Sequence, residues 1–163
     1  MSVGPEAWHE AGHALAAHLC GGVVREVTLE SELDGHEGHV AVEWRGAGAR
    51  DVARRSALVA LAGPVAEFVF RGDDVLEDPN ALLAWRGDWD EADAQLGLLY
   101  PDPAEREDGR RRLLRELRDV FDASEGYDCL ARLADALDAH ETLDEPLFLE
   151  ALGEVWCEAR PFG

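Results

Sequence analysis

The sequence contains no lysine. All 15 of its basic residues are arginine, set against 35 Asp and Glu, and the net charge is -20. So acidic a chain is a poor candidate for binding along a phosphate backbone or on an anionic membrane. Its field favours basic segments in a partner, mainly through the rate of encounter. Without lysine there is also no Walker A sequence, whose lysine reaches the nucleotide phosphates. Cysteine is scarce: Cys20, Cys129 and Cys157 are widely spaced with no C-x-x-C pair. That spacing excludes a disulfide framework and predicts reduced thiols in a cytoplasmic protein. No charged segment followed by an apolar stretch marks a signal peptide at the N-terminus. Long hydrophobic runs are missing too. The longest, residues 57 to 70, has 14 residues and includes Glu67. A membrane-spanning helix needs about 20, so this run predicts a core helix.

What is present is enough apolar surface for one globular domain over residues 1–163, with 47% hydrophobic residues. A first helix is predicted from Pro5 to Cys20, with proline at its start and Gly21-Gly22 at its end. Two strands follow, at 23–30 and 39–44, where Val40, Val42 and Trp44 alternate with polar or small residues. The turn-rich segment between them predicts a hairpin. A second helix is predicted from Ala49 to Phe70, with a kink at Gly63-Pro64. Helical spacing of Trp89, Ala92, Leu96 and Leu99 marks another at 88–100. Asp102-x-x-Glu105 reads as a capping box opening a helix to Phe121, and a further helix covers Tyr127 to Ala139. Thr142-x-x-Glu145 reads as the cap of a last helix, to Glu158. The class is α+β, mainly helical: a motif helix, a small antiparallel hairpin sheet, then a helical bundle.

His9-Glu10-Ala11-Gly12-His13 is an HExxH sequence inside the first helix. At i and i+4 the two imidazoles share a helix face and can share one zinc ion. Glu10, one residue along, lies beside the metal, where it can take a proton from a water molecule that the metal acidifies. Gly12 and Ala11 keep the motif small enough for a neighbouring element to approach. Glu67 has two readings: a carboxylate orienting His9 or His13 through the outer ring N–H, or a charge on a narrow exposed stripe. A catalytic zinc normally takes a third protein ligand. Asp88, Asp90, Asp93 and Glu67 are candidates, although Asp88, following Gly87 at a helix start, reads on its own as a simple N-cap.

Five blocks in order resemble the protease domain of the FtsH family of ATP-dependent zinc metalloproteases. His9-Glu-Ala-Gly-His13-Ala14 matches that family's HEAGHA signature. "VREVTLE" resembles its next strand, and "GHV" at 38–40 the start of its second strand. "LAGPVAEFVFRG" at 61–72 resembles its Leu-x-Gly-Gly-x-x-Ala-Glu-Glu stretch, with Glu67 at the first glutamate. Asp88-x-x-x-Ala92 resembles its Asp-x-x-x-Ala motif, at about the family's interval from the histidines. The resemblance covers Trp8 to Leu99 and implies Asp88 as the third zinc ligand. Pro64 replaces a glycine and Phe68 a glutamate. The ATPase module and membrane spans of the family have no counterpart here, so ATP-driven unfolding and membrane anchoring are not implied.

Other groups carry less. His36, Glu37 and His39 in "GHEGH" are read as loop residues; the family resemblance implies that this hairpin borders the cleft, with His39 open to substrate. His18 is off the metal face. Arg110, Arg111, Arg112, Arg115 and Arg118 are read as a solvated face pairing with acids. The expected function is a zinc (Zn2+) metallopeptidase acting on peptides or unfolded proteins, with no nucleic-acid or membrane partner. His9, His13 and Asp88 hold the metal, Glu10 is the general base, and the edge of the second strand receives extended peptide. The alternative is a non-catalytic peptide- or protein-binding regulator that retains the peptidase fold.

Overall fold

Helix α1 (Pro5–Leu19) carries HExxH through the middle of the protein. In the computed structural model, which describes residues 3–30, 38–73, 86–153 and 162, every residue from Ala7 to Ala17 is buried. A helix apolar on nearly all sides belongs in a core, so neighbours must surround it. The principal one is α2 (Ala49–Arg71), buried over most of its second half and continuous through Pro64. Gly12 sets how closely the two approach. A Cβ there would stand 2.5 Å from the Ala62 carbonyl oxygen and 2.6 Å from the Ala66 Cβ. Backbone thus meets backbone at the motif, as the small residues Ala11 and Gly12 allow.

On another side of α1 lies a three-stranded antiparallel sheet in the order β2-β1-β3. Strand β1 (Val23–Thr28) pairs with β2 (His39–Glu43), with Val27 opposite Val40 and Thr28 opposite His39. The register slips between Val24 and Glu26, so Arg25 bulges out, where it meets Glu43 and Glu145. The hairpin turn, with His36 and Glu37, lies outside the described residues.

The third strand, β3 (Thr142–Asp144), corrects the sequence expectation. Thr142 caps no helix. It pairs with Thr28, and the two hydroxyls are 2.7 Å apart. The cap of α6 (Glu145–Leu152) is Asp144, whose carboxylate accepts from the Leu147 N–H at 3.0 Å. An S/T-x-x-E pattern and a short strand ending in a capping aspartate look alike in one dimension; the free edge of β1 decides between them. Residues 154 to 158 of the expected last helix lie outside the described residues, as does Cys157.

The remaining helices form the bundle: α3 (Arg86–Leu99), α4 (Pro103–Asp122) and α5 (Ser124–His140). Asp102 caps α4 by accepting from the Ala104 N–H at 2.9 Å. Leu113, Leu114, Leu117 and Phe121 of α4 and Leu130, Leu133 and Leu137 of α5 fill the interior at helical spacing. Helix α5 packs on α1, and α3 and α4 pack on α2. Helix α5 begins three residues before its expected start, and α3 already includes Arg86, two residues before its own. No helix among the described residues is long and apolar enough to cross a membrane.

Candidate metal centre

The i, i+4 spacing on α1 brings the His9 and His13 rings together, their Nε2 atoms 3.0 Å apart. Each ring is fixed at its other nitrogen by α2. His13 Nδ1 lies 2.6 Å from the Val59 carbonyl oxygen. His9 Nδ1 lies 2.8 Å from Glu67 Oε1. A carbonyl only accepts, so His13 Nδ1 carries the proton; an ionised Glu67 assigns the same to His9. Glu67 is therefore on no exposed stripe. It is 4% exposed, and its second oxygen accepts from Arg71 Nη2 at 3.1 Å.

Asp88 comes from the first turn of α3. Its Oδ2 is 2.7 Å from His9 Nε2, and its Oδ1 is 3.4 Å from His13 Nε2. It stands inside the helix, third from Arg86, so the N-cap reading does not hold. Asp90, one residue beyond Trp89, is exposed. Asp93 turns to α4, where it meets Arg110 Nη2 at 2.5 Å. Of the candidate third ligands, Asp88 reaches both imidazoles, and Glu67 holds the far side of one.

Glu10 completes a buried group with the two histidines: each of His9, Glu10 and His13 offers a ligand atom within 4.8 Å of the others. Glu10 is 3% exposed, against Gly38 at the mouth of β2, where an added Cβ would come 2.5 Å from its Cδ. Gly38 has φ +55°, so the chain enters β2 in a conformation that suits glycine.

The electrostatics follow from these contacts. Burial alone would lower the His9 pKa, but hydrogen bonds to Asp88 and Glu67 outweigh it and push it up to about 10. Burial opposes the His13 imidazolium as well, and Asp88 again more than compensates. Burial would raise the Asp88 pKa, yet hydrogen bonds to His13 and His9 hold it well below the usual carboxylate range. The site is organised to attract positive charge. Protons on the imidazoles can supply that charge. Once each ring is neutral with its proton on Nδ1, two Nε2 lone pairs and an ionised carboxylate converge on one point, an arrangement that calls for a cation in place of those protons.

A metal ion fits that requirement. Nitrogen and carboxylate donors suit zinc, and the outer hydrogen bonds to Glu67 and the Val59 carbonyl are those that orient metal-bound imidazoles. There is also room. Gly63 of α2 faces the Nε2 atoms, and a Cβ there would stand 2.4 Å from His13 Nε2 and 2.7 Å from His9 Nε2. The buried His9-Glu10-His13 group can hold a metal ion.

Some of these partners escape sequence reasoning. The Val59 carbonyl has no residue-type signature. Arg71 has one, since it follows Glu67 by four positions on a helix. Arg110 is buried, not part of a solvated face. His18 lies off the centre and stacks edge-on against Phe148 at 5.9 Å. His39 is exposed at the first position of the edge strand β2. Neither a protein-family model nor a curated protein matches the chain.

Proposed function

We propose that the protein is a zinc metallopeptidase of FtsH-like type. The observation that carries this reading is the convergence of His9 Nε2, His13 Nε2 and the Asp88 carboxylate, at 2.7 to 3.4 Å, beside the buried Glu10. His9, His13 and Asp88 would hold Zn2+. When bound, the ion supplies Lewis acidity, lowering the pKa of water and polarising a carbonyl. Glu67 and the Val59 carbonyl hold the imidazoles so that the Nε2 lone pairs stay aimed inward. Glu10 takes the proton from the attacking water and passes it to the leaving amine. The edge strand β2 begins at His39, next to the Gly38 that contacts Glu10. Its outer edge, which no strand pairs with among the described residues, suits an extended peptide substrate.

Glu10→Gln tests the reading. The variant should fold and bind about one zinc per chain, as the wild type should, but lose cleavage of a peptide library and of unfolded protein. A folded wild type that takes up no zinc overturns the metal centre. Zinc binding without cleavage favours the regulator that retains the fold.

A further inference from the structure

Asp88 differs from the histidines in how it is held. His9 and His13 project from a helix buried on all sides, whereas α3 has only Ala92 and Leu96 buried among its described residues. Among those residues its first turn packs on the core only through the half-buried Trp89, which itself needs to be held. Trp89, next to Asp88, lies under the guanidinium of Arg110 from α4, with Cζ 4.6 Å from the ring centroid. Arg110 Nη2 also meets Asp93, one turn beyond Trp89, at 2.5 Å. Its Nη1 pairs with Glu107 of α4. One planar side chain thus ties two successive turns of α3 to α4, by a stack on one and an ion pair on the other.

The arrangement has a cost. Arg110 is 8% exposed, and its Nε is the one buried side-chain nitrogen or oxygen without a hydrogen-bond partner among the described residues. An apolar side chain of similar length would avoid that cost, because replacing a buried ion pair by apolar packing is often neutral or stabilising. Asp93 and Glu107 would not be stranded, since their side chains are 41% and 49% exposed and can be solvated.

We infer that Arg110 is a positioning residue for the metal centre, fixing the first turn of α3 so that the Asp88 carboxylate reaches both imidazoles. The inference rests on Asp88 being a zinc ligand. It separates two properties that a merely structural role would link: Arg110 stabilises the geometry of the site more than it stabilises the fold.

Zinc affinity is read by chelator competition on the full chain and folding by thermal unfolding of the metal-free protein, for the wild type, Arg110→Met, Asp88→Asn and the double variant. Arg110→Met should weaken zinc binding by about 10-fold, the low end for loss of a supporting group, with little change in metal-free Tm. In the Asp88→Asn background the same substitution should have no further effect on zinc, because the ligand it positions is gone. Arg110→Lys keeps the charge towards Asp93 but loses the planar stack on Trp89, and should give an intermediate loss; it stands in should Arg110→Met fail to fold. Unchanged zinc affinity in Arg110→Met, or in Arg110→Lys where the former does not fold, overturns the inference while leaving the zinc site standing. So does an equal loss with and without Asp88. A wild type that binds no zinc, or an Asp88→Asn variant that binds it as well as the wild type, overturns the underlying assignment together with the inference.

Discussion

Gly63→Ala is the sharpest steric test of where the metal belongs. The added methyl would begin 2.4 Å from His13 Nε2 and 2.7 Å from His9 Nε2. Carbon and nitrogen in contact sit roughly 3.5 Å apart, so the atoms must separate by about 1 Å. Neither ring can give that distance freely. His13 is held at 2.6 Å by the Val59 carbonyl and His9 at 2.8 Å by Glu67, both from the same helix as Gly63. Retreat of the α2 backbone would open the close packing of Ala62 and Ala66 against Gly12 of α1, and lost contacts make that costly too. Two effects then oppose each other in the fold. Alanine gains roughly 0.5–1 kcal/mol over glycine in a helix interior, and overpacking costs about 1–3 kcal/mol. The metal-free variant should be destabilised by no more than about 2.5 kcal/mol. Metal binding should suffer far more, since zinc requires both Nε2 atoms at about 2.0–2.1 Å and the methyl occupies their common side. A loss of at least about 100-fold in zinc affinity is expected, read by chelator competition, with circular dichroism showing a folded chain. A folded Gly63→Ala that binds zinc like the wild type would refute the assignment of the metal to the space between Gly63 and the two imidazoles.

Glu67→Gln should weaken zinc binding by about 10- to 100-fold. Its amide oxygen can still accept from His9 but no longer carries the charge that makes the imidazole a better donor, and a chelator competition curve that does not move would refute this. Asp88→Asn should remove most of the zinc affinity, whereas Asp90→Asn, at an exposed position on the same helix, should leave it unchanged. Equal effects from the two substitutions would mean that α3 supplies charge but no ligand.

The parts of this site that were legible in the sequence are those fixed by spacing along a helix. The pair at i and i+4 puts His9 and His13 on one face whatever surrounds them, and Gly12 announces the close approach of a neighbour. Glu67 was half legible. As the single charge in an apolar run it required an explanation, but its exposure depends on which face of α2 meets α1. Asp88 was legible only through resemblance, because its own neighbourhood suited a cap. The structure removes that ambiguity by including Arg86 in α3, so that Asp88 stands within the first turn. What could not be read is tertiary: the Val59 carbonyl as a hydrogen-bond acceptor, the free β1 edge that makes Thr142–Asp144 a strand, and the burial of Arg110. In each case the deciding contact is with a partner more than 15 residues away in sequence.

The centre is assembled from two halves of different rigidity. The histidine half is locked: α1 is buried throughout its middle, and α2 holds both rings through Val59 and Glu67. The aspartate half is attached from outside, by a helix with two buried residues and one clamping arginine. The side chains follow the same order, with His9 at 6%, His13 at 11% and Asp88 at 27% exposure. Solvent therefore reaches the three side chains from the α3 side, and the proposed hydrolase would need one such open approach for water and substrate. Placing the carboxylate on the less constrained element would put the adjustable ligand of the proposed centre where the opening is. It leaves the two imidazoles, whose separation must match a metal ion, on the helix pair least able to move.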